Sequence, residues 1–366
     1  MNKHDTPRAI SQAEITLKRH CYLVTCGQAV KRGERIATTS ISGLGDIHAP
    51  VAGTIDHVDP YRIRITADGD ETVEPISFNG IAGQELLKAL IELGADITAA
   101  SDIQTLIING VDEEQGLTAR STLLSTASGT LELGIQALLS IYAPPATYLA
   151  AINGSDLLES TRYTKISEQY PAGLDPMVAL TVTGKENPDN TLVVGLETVF
   201  HIGRIMETGL PVMETMITVD KTSQIFLLGT PVGEIINITG DNIEDRDRIV
   251  LGGVLRGSAA ASPMQGVTRD TTAITLVKNS APVAQDSPCV GCGECIRHCP
   301  ARLDPAMITS YAEFGMYDKA ADESVDACFE CGLCGFFCIA QRPMLQYIRL
   351  AKNELERAKS VAGKEK

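Results

Sequence analysis

Two short runs of cysteines are the residues of this chain with the clearest capacity for chemistry. Residues 289–300 read CVGCGECIRHCP, and residues 328–338 read CFECGLCGFFC. Each run spaces four cysteines as CxxCxxCxxxC, and only two of the ten cysteines lie outside the runs. This spacing is that of the thiolate ligands of [4Fe–4S] clusters. The sequence therefore predicts two such clusters.

The shape of a cubane cluster indicates how the eight cysteines divide. Three closely spaced cysteines can wrap three corners of one cluster, but the fourth cysteine of the same run cannot reach the last corner without strain. The other run is therefore expected to supply that ligand. The predicted ligand sets are Cys289, Cys292, Cys295 and Cys338 for one cluster, and Cys328, Cys331, Cys334 and Cys299 for the other.

Zinc knuckles are the alternative for these cysteines, because zinc sites also use CxxC pairs. Two complete four-cysteine runs favour iron–sulfur clusters over zinc. The glycines within the runs fit this interpretation, since they allow tight backbone turns and their N–H groups can point at cluster sulfurs. These glycines are Gly291, Gly293, Gly332 and Gly335.

We predict structural roles for several residues between and outside the two runs. Apolar residues at helical spacing between the runs predict a mainly helical domain, in which these side chains pack around the clusters. His298 is expected to be a surface or supporting residue, because four cysteines are already available for each cluster. Cys21 and Cys26 are expected to be buried free thiols. The helically spaced residues are Met307, Tyr311, Phe314 and Tyr317.

Composition and charge narrow the classes of function. The chain has 366 residues, 44% of them hydrophobic, and a formal net charge of -15. This charge argues against a general nucleic-acid or anionic-lipid binder. The first twenty residues have no apolar signal segment, and no apolar run of 18 residues occurs, so a cytoplasmic protein without its own membrane span is expected. No Ser-His-Asp or Walker motif is present, and no catalytic residue is assigned.

The remaining sequence predicts an α+β multidomain chain. Short Gly-broken strands indicate a lipoyl-like barrel-sandwich domain at 20–80, which lacks the lysine of a swinging-arm carrier. Alternating helices and strands indicate an α/β layer at 81–188. Strands with one helix indicate a β-grasp domain of SLBB type at 189–278, and residues 279–288 read as a linker. The helical two-cluster domain is placed at 282–356.

These segments together resemble the C subunit of Rnf-type electron transport complexes (RnfC), which is related to the flavin subunit of respiratory complex I. The resemblance spans roughly residues 20–355 and includes the segments HAPVAGTI, TLIINGVD, YPAGLDPMVALTVTGKENP and SPMQG beside the cysteine runs. It implies a complex I flavin-subunit-like α/β domain, FMN and two [4Fe–4S] clusters. It also implies NADH oxidation on the cytoplasmic side of a membrane-bound ion pump.

Three departures from this family fall on its flavin and nucleotide features. The family's GxGGAGFPT-type loop before TLIING is replaced by a helix-forming segment with scattered glycines, which removes the backbone N–H groups that would line phosphates. Residues 113–120 lose the family's Pro-Tyr, and Leu196 replaces its flavin-contacting asparagine. The flavin site is therefore predicted to be absent.

The sequence thus predicts an iron–sulfur electron-transfer subunit of a membrane-associated, RnfC-like redox complex. Its expected partners are the other subunits of that complex and a soluble electron donor such as ferredoxin. It is expected to be peripheral on the cytoplasmic face of the membrane. One alternative is an FMN-containing NADH-oxidising or corrin-reducing enzyme, and a second is a structural or redox-sensing Fe–S protein.

Overall fold

The computed structural model describes residues 7–153, 158–280 and 287–362, which form a mixed α/β chain of two compact units. The first unit holds the described residues up to Gly252 together with Ala259–Val277. The second holds Gly253–Ser258 and the described residues from Lys278 onward. Most of the predicted linker at 279–288 and the predicted domain start at residue 282 lie outside the described residues.

The N-terminal part of the first unit consists of two antiparallel sheets. In one sheet, Ile63 and Ile65 are fully buried, while Arg64 between them turns outward and donates to Glu14 at 3.0 Å. This period of two is the pattern of a half-buried strand. The sheets have the orders β1-β7-β6-β3 and β2-β4-β5, with β1 (Gln12–Thr16), β2 (Cys21–Tyr22), β3 (Ala29–Val30), β4 (Arg35–Thr38), β5 (Ile47–His48), β6 (Gly53–Asp59) and β7 (Arg62–Thr66).

The middle of the first unit is a parallel four-stranded sheet with helices. Three of its four strands are rich in Ile, Leu, Val and Ala, as expected for strands covered on both faces, whereas the edge strand Arg162–Lys165 is polar and partly exposed. Helices α3 and α5 cross closely, since a Cβ added to Gly203 would lie 1.9 Å from the Thr130 carbonyl oxygen. The strand order is β10-β9-β8-β11, and the elements are α1 (Gly83–Glu92), β8 (Thr105–Asn109), α2 (Ala119–Thr126), α3 (Ser128–Tyr142), β9 (Ala146–Ala151), β10 (Arg162–Lys165), α4 (Asp175–Thr183), β11 (Thr191–Gly195) and α5 (Leu196–Thr208).

Two sequence predictions for this region are wrong. The pattern of residues 155–166 predicts a helix, but Arg162–Lys165 forms strand β10 beside β9, and residues 154–157 lie outside the described residues. Strand β11 falls within the β-rich domain predicted from residue 189, but it pairs in parallel with β8. Pairing with strands distant in sequence, which local propensity does not specify, decides both cases.

A third region of the first unit is a mixed five-stranded sheet with order β13-β12-β16-β14-β15. Strand β12 is buried along its whole length, and helix α6 packs its Val232, Ile235 and Ile236 into the core beneath it. Sequence analysis missed this short helix. The elements are β12 (Glu214–Val219), β13 (Thr222–Leu227), α6 (Val232–Ile238), β14 (Arg248–Leu251), β15 (Ser258–Ala259) and β16 (Ala273–Val277).

Arg269 joins segments of these three regions. Its guanidinium donates to the carbonyl oxygens of Gly45 and Asp46, each at 3.0 Å, and to the carbonyl of Gly94. It also forms an ion pair with Asp96 at 3.1 Å. The planar Arg269 guanidinium thus donates to backbone carbonyls of the N-terminal region and to a carbonyl and a carboxylate of the segment after α1.

The second unit is helical, as predicted. Its core contains Ile308, Val325 and Ile348, and the Asp304 carboxylate caps α8 by accepting from the Met307 N–H. Two helices separate the cysteine runs where the sequence shows one continuous apolar pattern. The helices are α7 (Glu294–Arg297), α8 (Pro305–Glu313), α9 (Tyr317–Asp322), a 3-10 turn (Val325–Ala327), α10 (Leu333–Phe336) and α11 (Met344–Ala362).

The predicted packing of the residues between the runs is only partly correct. Tyr311 and Tyr317 are partly buried against the core, but Met307 is 40% exposed and Phe314 is 72% exposed. The end of α8 and the turn at Gly315, with φ of +69°, rotate Phe314 away from the core.

We expect the first unit to lose stability as the pH falls below 6.5. Burial lowers the pKa of His48 from 6.5 to about 4 and that of His201 to about 3. Because the unfolded chain then binds these protons first, stability is complete above pH 6.5 and is lost as the pH approaches the folded pKa values. Each histidine contributes about 1.4 kcal/mol per pH unit in that window.

Urea unfolding followed by circular dichroism between pH 7.5 and 5.5 measures this slope. His201→Gln should remove about one proton from the slope. Equal stability of the native chain at pH 7.5 and 5.5 would contradict the expectation.

Candidate metal centres

The two cysteine runs fold as repeats of one local structure. Gly293 and Gly332 precede the short helices α7 and α10 and have φ values of +74° and +77°. The residue before the second cysteine of each run is also left-handed, at Gly291 (φ +68°) and Glu330 (φ +56°). A Cβ on Gly332 would lie 2.4 Å from the Leu255 carbonyl oxygen, so this position requires glycine.

The first predicted ligand set surrounds a cavity of about 110 Å³, which we call site A. A zinc ion with Zn–S distances of about 2.3 Å would draw four sulfurs together and leave no such space. The volume exceeds the roughly 30 Å³ that one water molecule occupies in the liquid, and it suits a polynuclear group better than a single ion. Site A is lined by Cys289, Cys292, Cys295 and Cys338.

The second predicted ligand set, site B, brings Cys299 of the first run to the three leading cysteines of the second run. Burial, together with the neighbouring thiols of Cys328, Cys331 and Cys299, raises the pKa of Cys334 to about 12. Burial likewise raises the pKa of Cys328 and Cys331, again with Cys299 among their neighbours. Thiolates here require a positively charged partner, which a metal centre supplies.

Contacts between α7 and α10 bring the two runs together. The His298 ring stacks on the Phe337 ring, with centroids 3.6 Å apart and an angle of 11° between the planes. Each ring directly precedes the last cysteine of its run. His298 also lies 3.4 Å from the Glu294 carboxylate, so it fills the supporting role expected for it.

Backbone N–H groups point at several of the sulfurs, but of the predicted glycines only Gly291 is among the donors described next. Gly291 donates to Cys289 Sγ, Leu303 to Cys299 Sγ and Glu330 to Cys328 Sγ, each at 3.4 Å. Hydrogen bonds to the sulfurs stabilise negative charge there and influence the potential of a bound cluster.

Basic side chains bind the loop that carries Cys328 and Glu330, which we call the site B loop. Glu330 pairs with Arg349 at 2.8 Å and with Lys352 at 3.2 Å, and Arg256 donates to the Glu330 carbonyl at 3.2 Å. Lys352 also donates to the Cys328 carbonyl. Burial would raise the pKa of Glu330, but the two cations outweigh it and lower that pKa.

The loop of site A is more open to solvent. Cys289 and Cys292 are exposed, and Val290 between them is 63% exposed.

In the described part of the chain, no three His, Cys, Asp or Glu side chains are arranged to hold a metal ion as they stand. In a cubane each thiolate binds a different iron, so its ligands surround a space and do not converge on one atom.

The prediction for the remaining two cysteines is wrong. Cys21 and Cys26 are both exposed, and Cys26 Sγ donates to the Asp56 carbonyl at 3.3 Å. The strand β2 that begins at Cys21 has only two residues and leads into a turn, so neither thiol reaches the core.

A buried ion pair fills the crevice between the carboxyl ends of β8 and β11. At this point the order of the strands along the parallel sheet reverses. Arg120 donates to both carboxylate oxygens of Glu197, at 2.8 and 3.0 Å, and to the Val111 carbonyl at 2.9 Å. Burial would lower the pKa of Arg120, but Glu197 and Glu113 outweigh it and raise that pKa. Such crevices at carboxyl ends of strands are the usual ligand sites of α/β sheets.

The open cavity at the same edge of the sheet is acidic. It has a volume of about 610 Å³ and lies beyond the ends of β8, β9 and β10. No Lys, Arg or His lies among its described lining residues, whereas Asp112, Glu113, Glu114 and Glu168 do. Leu196, at the position of the family's asparagine, is fully buried in the core.

Comparisons with known proteins find similar sequences. Residues 281–339 match the family described as "4Fe-4S dicluster domain". The C subunit of the ion-translocating oxidoreductase complex of Rhodobacter capsulatus is 26% identical over 90% of this chain and 74% of its own length. The chain is similar to RnfC over most of its length.

A second relative of the RnfC-like chain has a more specific name. It is the C subunit of the Na(+)-translocating ferredoxin:NAD(+) oxidoreductase complex of Acetobacterium woodii, with 24% identity over 91% of this chain and 87% of that protein. Among solved structures, an NAD+-reducing [NiFe]-hydrogenase in the H2-reduced state matches 78% of this chain and 65% of its own chain, with 12% identity and a TM-score of 0.41. None of the described helices is long and apolar enough to cross a membrane.

Substituting Gly332 should impair the RnfC-like chain more than substituting Gly293. Both residues have a positive φ, which costs alanine about 1 kcal/mol, but only a Cβ at Gly332 would strike a backbone oxygen. Gly332→Ala should therefore lower the melting temperature and the iron content per chain, while Gly293→Ala should change both only slightly. Equal effects of the two substitutions would argue against the clash at Leu255.

Proposed function

We propose that this chain is an iron–sulfur electron-transfer subunit of a membrane-associated, RnfC-like redox complex. The observation that carries the proposal is the presence of two separate four-cysteine sites within a region that matches the dicluster family. When bound, the clusters supply one-electron transfer, which requires no acid, base or nucleophile from the protein. The chain's residues hold, bury and charge the two sites.

The ligands proposed for the clusters follow the two sites. Cys289, Cys292, Cys295 and Cys338 hold the cluster of site A, and Cys328, Cys331, Cys334 and Cys299 hold that of site B. The cavity at site A and the cysteine spacing of both runs support two [4Fe–4S] clusters against zinc. Site A, where Cys289 and Cys292 are exposed, is the more accessible of the two for electron exchange.

The flavin is proposed to be absent. FMN and NADH carry phosphates, and the cavity beyond β8, β9 and β10 offers no basic side chain among its described lining residues to bind them. The buried pair of Arg120 and Glu197 occupies the crevice between β8 and β11. Opening that crevice would leave a buried charge without its partner, at a cost of about 3–5 kcal/mol.

The location and partners of the chain are proposed from its relatives. The curated relatives are named as subunits of ion-translocating complexes, and one name includes ferredoxin and NAD(+). We infer that this chain is peripheral on the cytoplasmic face of the membrane, where it contacts other subunits and exchanges electrons with a carrier such as ferredoxin. The four-part division into barrel-sandwich, flavin-subunit-like, β-grasp and two-cluster domains is part of the same proposal.

Cofactor content tests the function directly. Anaerobically purified protein should contain about eight iron atoms and eight sulfides per chain, and no flavin, with signals of two clusters in the EPR spectrum after reduction. One flavin per chain with NADH oxidation would favour the FMN-containing or corrin-reducing enzyme instead. Clusters that cannot be reversibly reduced would favour a structural or sensing protein, and zinc in place of iron would exclude all three.

The exchange of the fourth ligand between runs has its own test. If ligation is crossed, Cys338→Ser and Cys292→Ser should abolish the same cluster signal, and Cys299→Ser and Cys331→Ser the other. If each run instead supplied all four ligands of its own cluster, Cys338→Ser would abolish the same cluster signal as Cys331→Ser. Comparison of the four EPR spectra after reduction separates the two schemes.

A further inference from the structure

Arg342 is a buried cation on the wall of site A. Its side chain is only 5% exposed, and it lines the same cavity as Cys289 and Cys338. Glu313 accepts a hydrogen bond from Arg342 Nη2 at 2.6 Å, and the Tyr347 ring centroid lies 5.8 Å from the guanidinium carbon. We propose that Arg342 raises the reduction potential of the cluster held at site A and that Glu313 moderates this effect.

The internal repeat shows that this cation is specific to one site. Arg342 follows Cys338 by four positions, just as Leu303 follows Cys299. The residues before them, Gln341 (φ +52°) and Arg302 (φ +56°), share a left-handed backbone, so the two positions are structurally equivalent. The same place in the repeat therefore carries a guanidinium for site A and an aliphatic side chain for site B.

The electrostatic reason rests on the proposed function. Four thiolates give a bound [4Fe–4S] centre a net negative charge, and the uptake of one electron makes it one unit more negative. Arginine stays charged at every accessible pH, and burial reduces the screening of its charge by water. Arg342 thus stabilises the reduced form more than the oxidised form. The Glu313 carboxylate, which is 31% exposed, offsets part of this.

Stability alone does not account for the arginine. A buried ion pair contributes little more than well-packed apolar residues of similar volume, and it is often less favourable. Leucine meets the structural need at the equivalent position of the repeat. What arginine adds at site A is charge.

Two substitutions with opposite electrostatic signs test the proposal in the full chain. Anaerobic redox titrations followed by EPR should show a shift of the site A midpoint to more negative potential in Arg342→Met, and to more positive potential in Glu313→Gln. Arg342→Lys should stay near the native value, and the site B midpoint should not move in any variant. The signal of site A is identified as the one that Cys292→Ser abolishes.

Unchanged midpoints, or shifts of the same sign in both variants, would overturn the role of Arg342 while leaving the electron-transfer function intact. If Arg342→Met loses its iron, the sign of the shift in Glu313→Gln, which leaves the arginine in place, decides. Native protein that contains no iron would overturn the electron-transfer proposal and this one together.

Discussion

The exchange of one cysteine between the two runs is the constraint on which the second unit depends. In the proposed ligation, neither site is complete until Cys299 and Cys338 have each reached across to the other run. This requires α7 and α10 to meet, and the stack of His298 on Phe337 lies at that meeting. The unit's apolar core is small, so metal ligation is expected to supply part of its folding free energy.

In the first unit, buried arginine side chains connect separate segments of the chain. Arg269 satisfies carbonyls from separate segments, and Arg120 closes the crevice between β8 and β11 through Glu197. The Arg120 and Glu197 side chains take up space in which an α/β fold could bind a small molecule. The open cavity beyond β8, β9 and β10 offers no basic side chain to a phosphate among its described lining residues. These features accord with the proposed absence of a flavin.

Sequence alone predicted the candidate sites and the longer elements, because both depend on local patterns. The cysteine spacing predicted two groups of four, and hydrophobic periodicity predicted α1, α3, α5 and β8. Strand β10, the partner of β11 and the exposure of Cys21 and Cys26 depend on long-range pairing and on short edge segments, which periodicity does not specify. Arg342 was missed since a lone arginine after a cysteine run has no pattern of its own.

The repeat within the second unit makes its differences informative. Two segments with the same backbone have diverged in charge: the site B loop carries Glu330 between Arg349 and Lys352, whereas the site A loop has Gly291 and exposed thiols. Backbone symmetry would by itself give two similar centres. Solvent exposure, hydrogen bonds to sulfur and nearby charge are the terms that separate cluster potentials. Solvent exposure, hydrogen bonds to sulfur and nearby charge all differ between site A and site B. Electron transfer in one direction through two clusters needs such a difference between them.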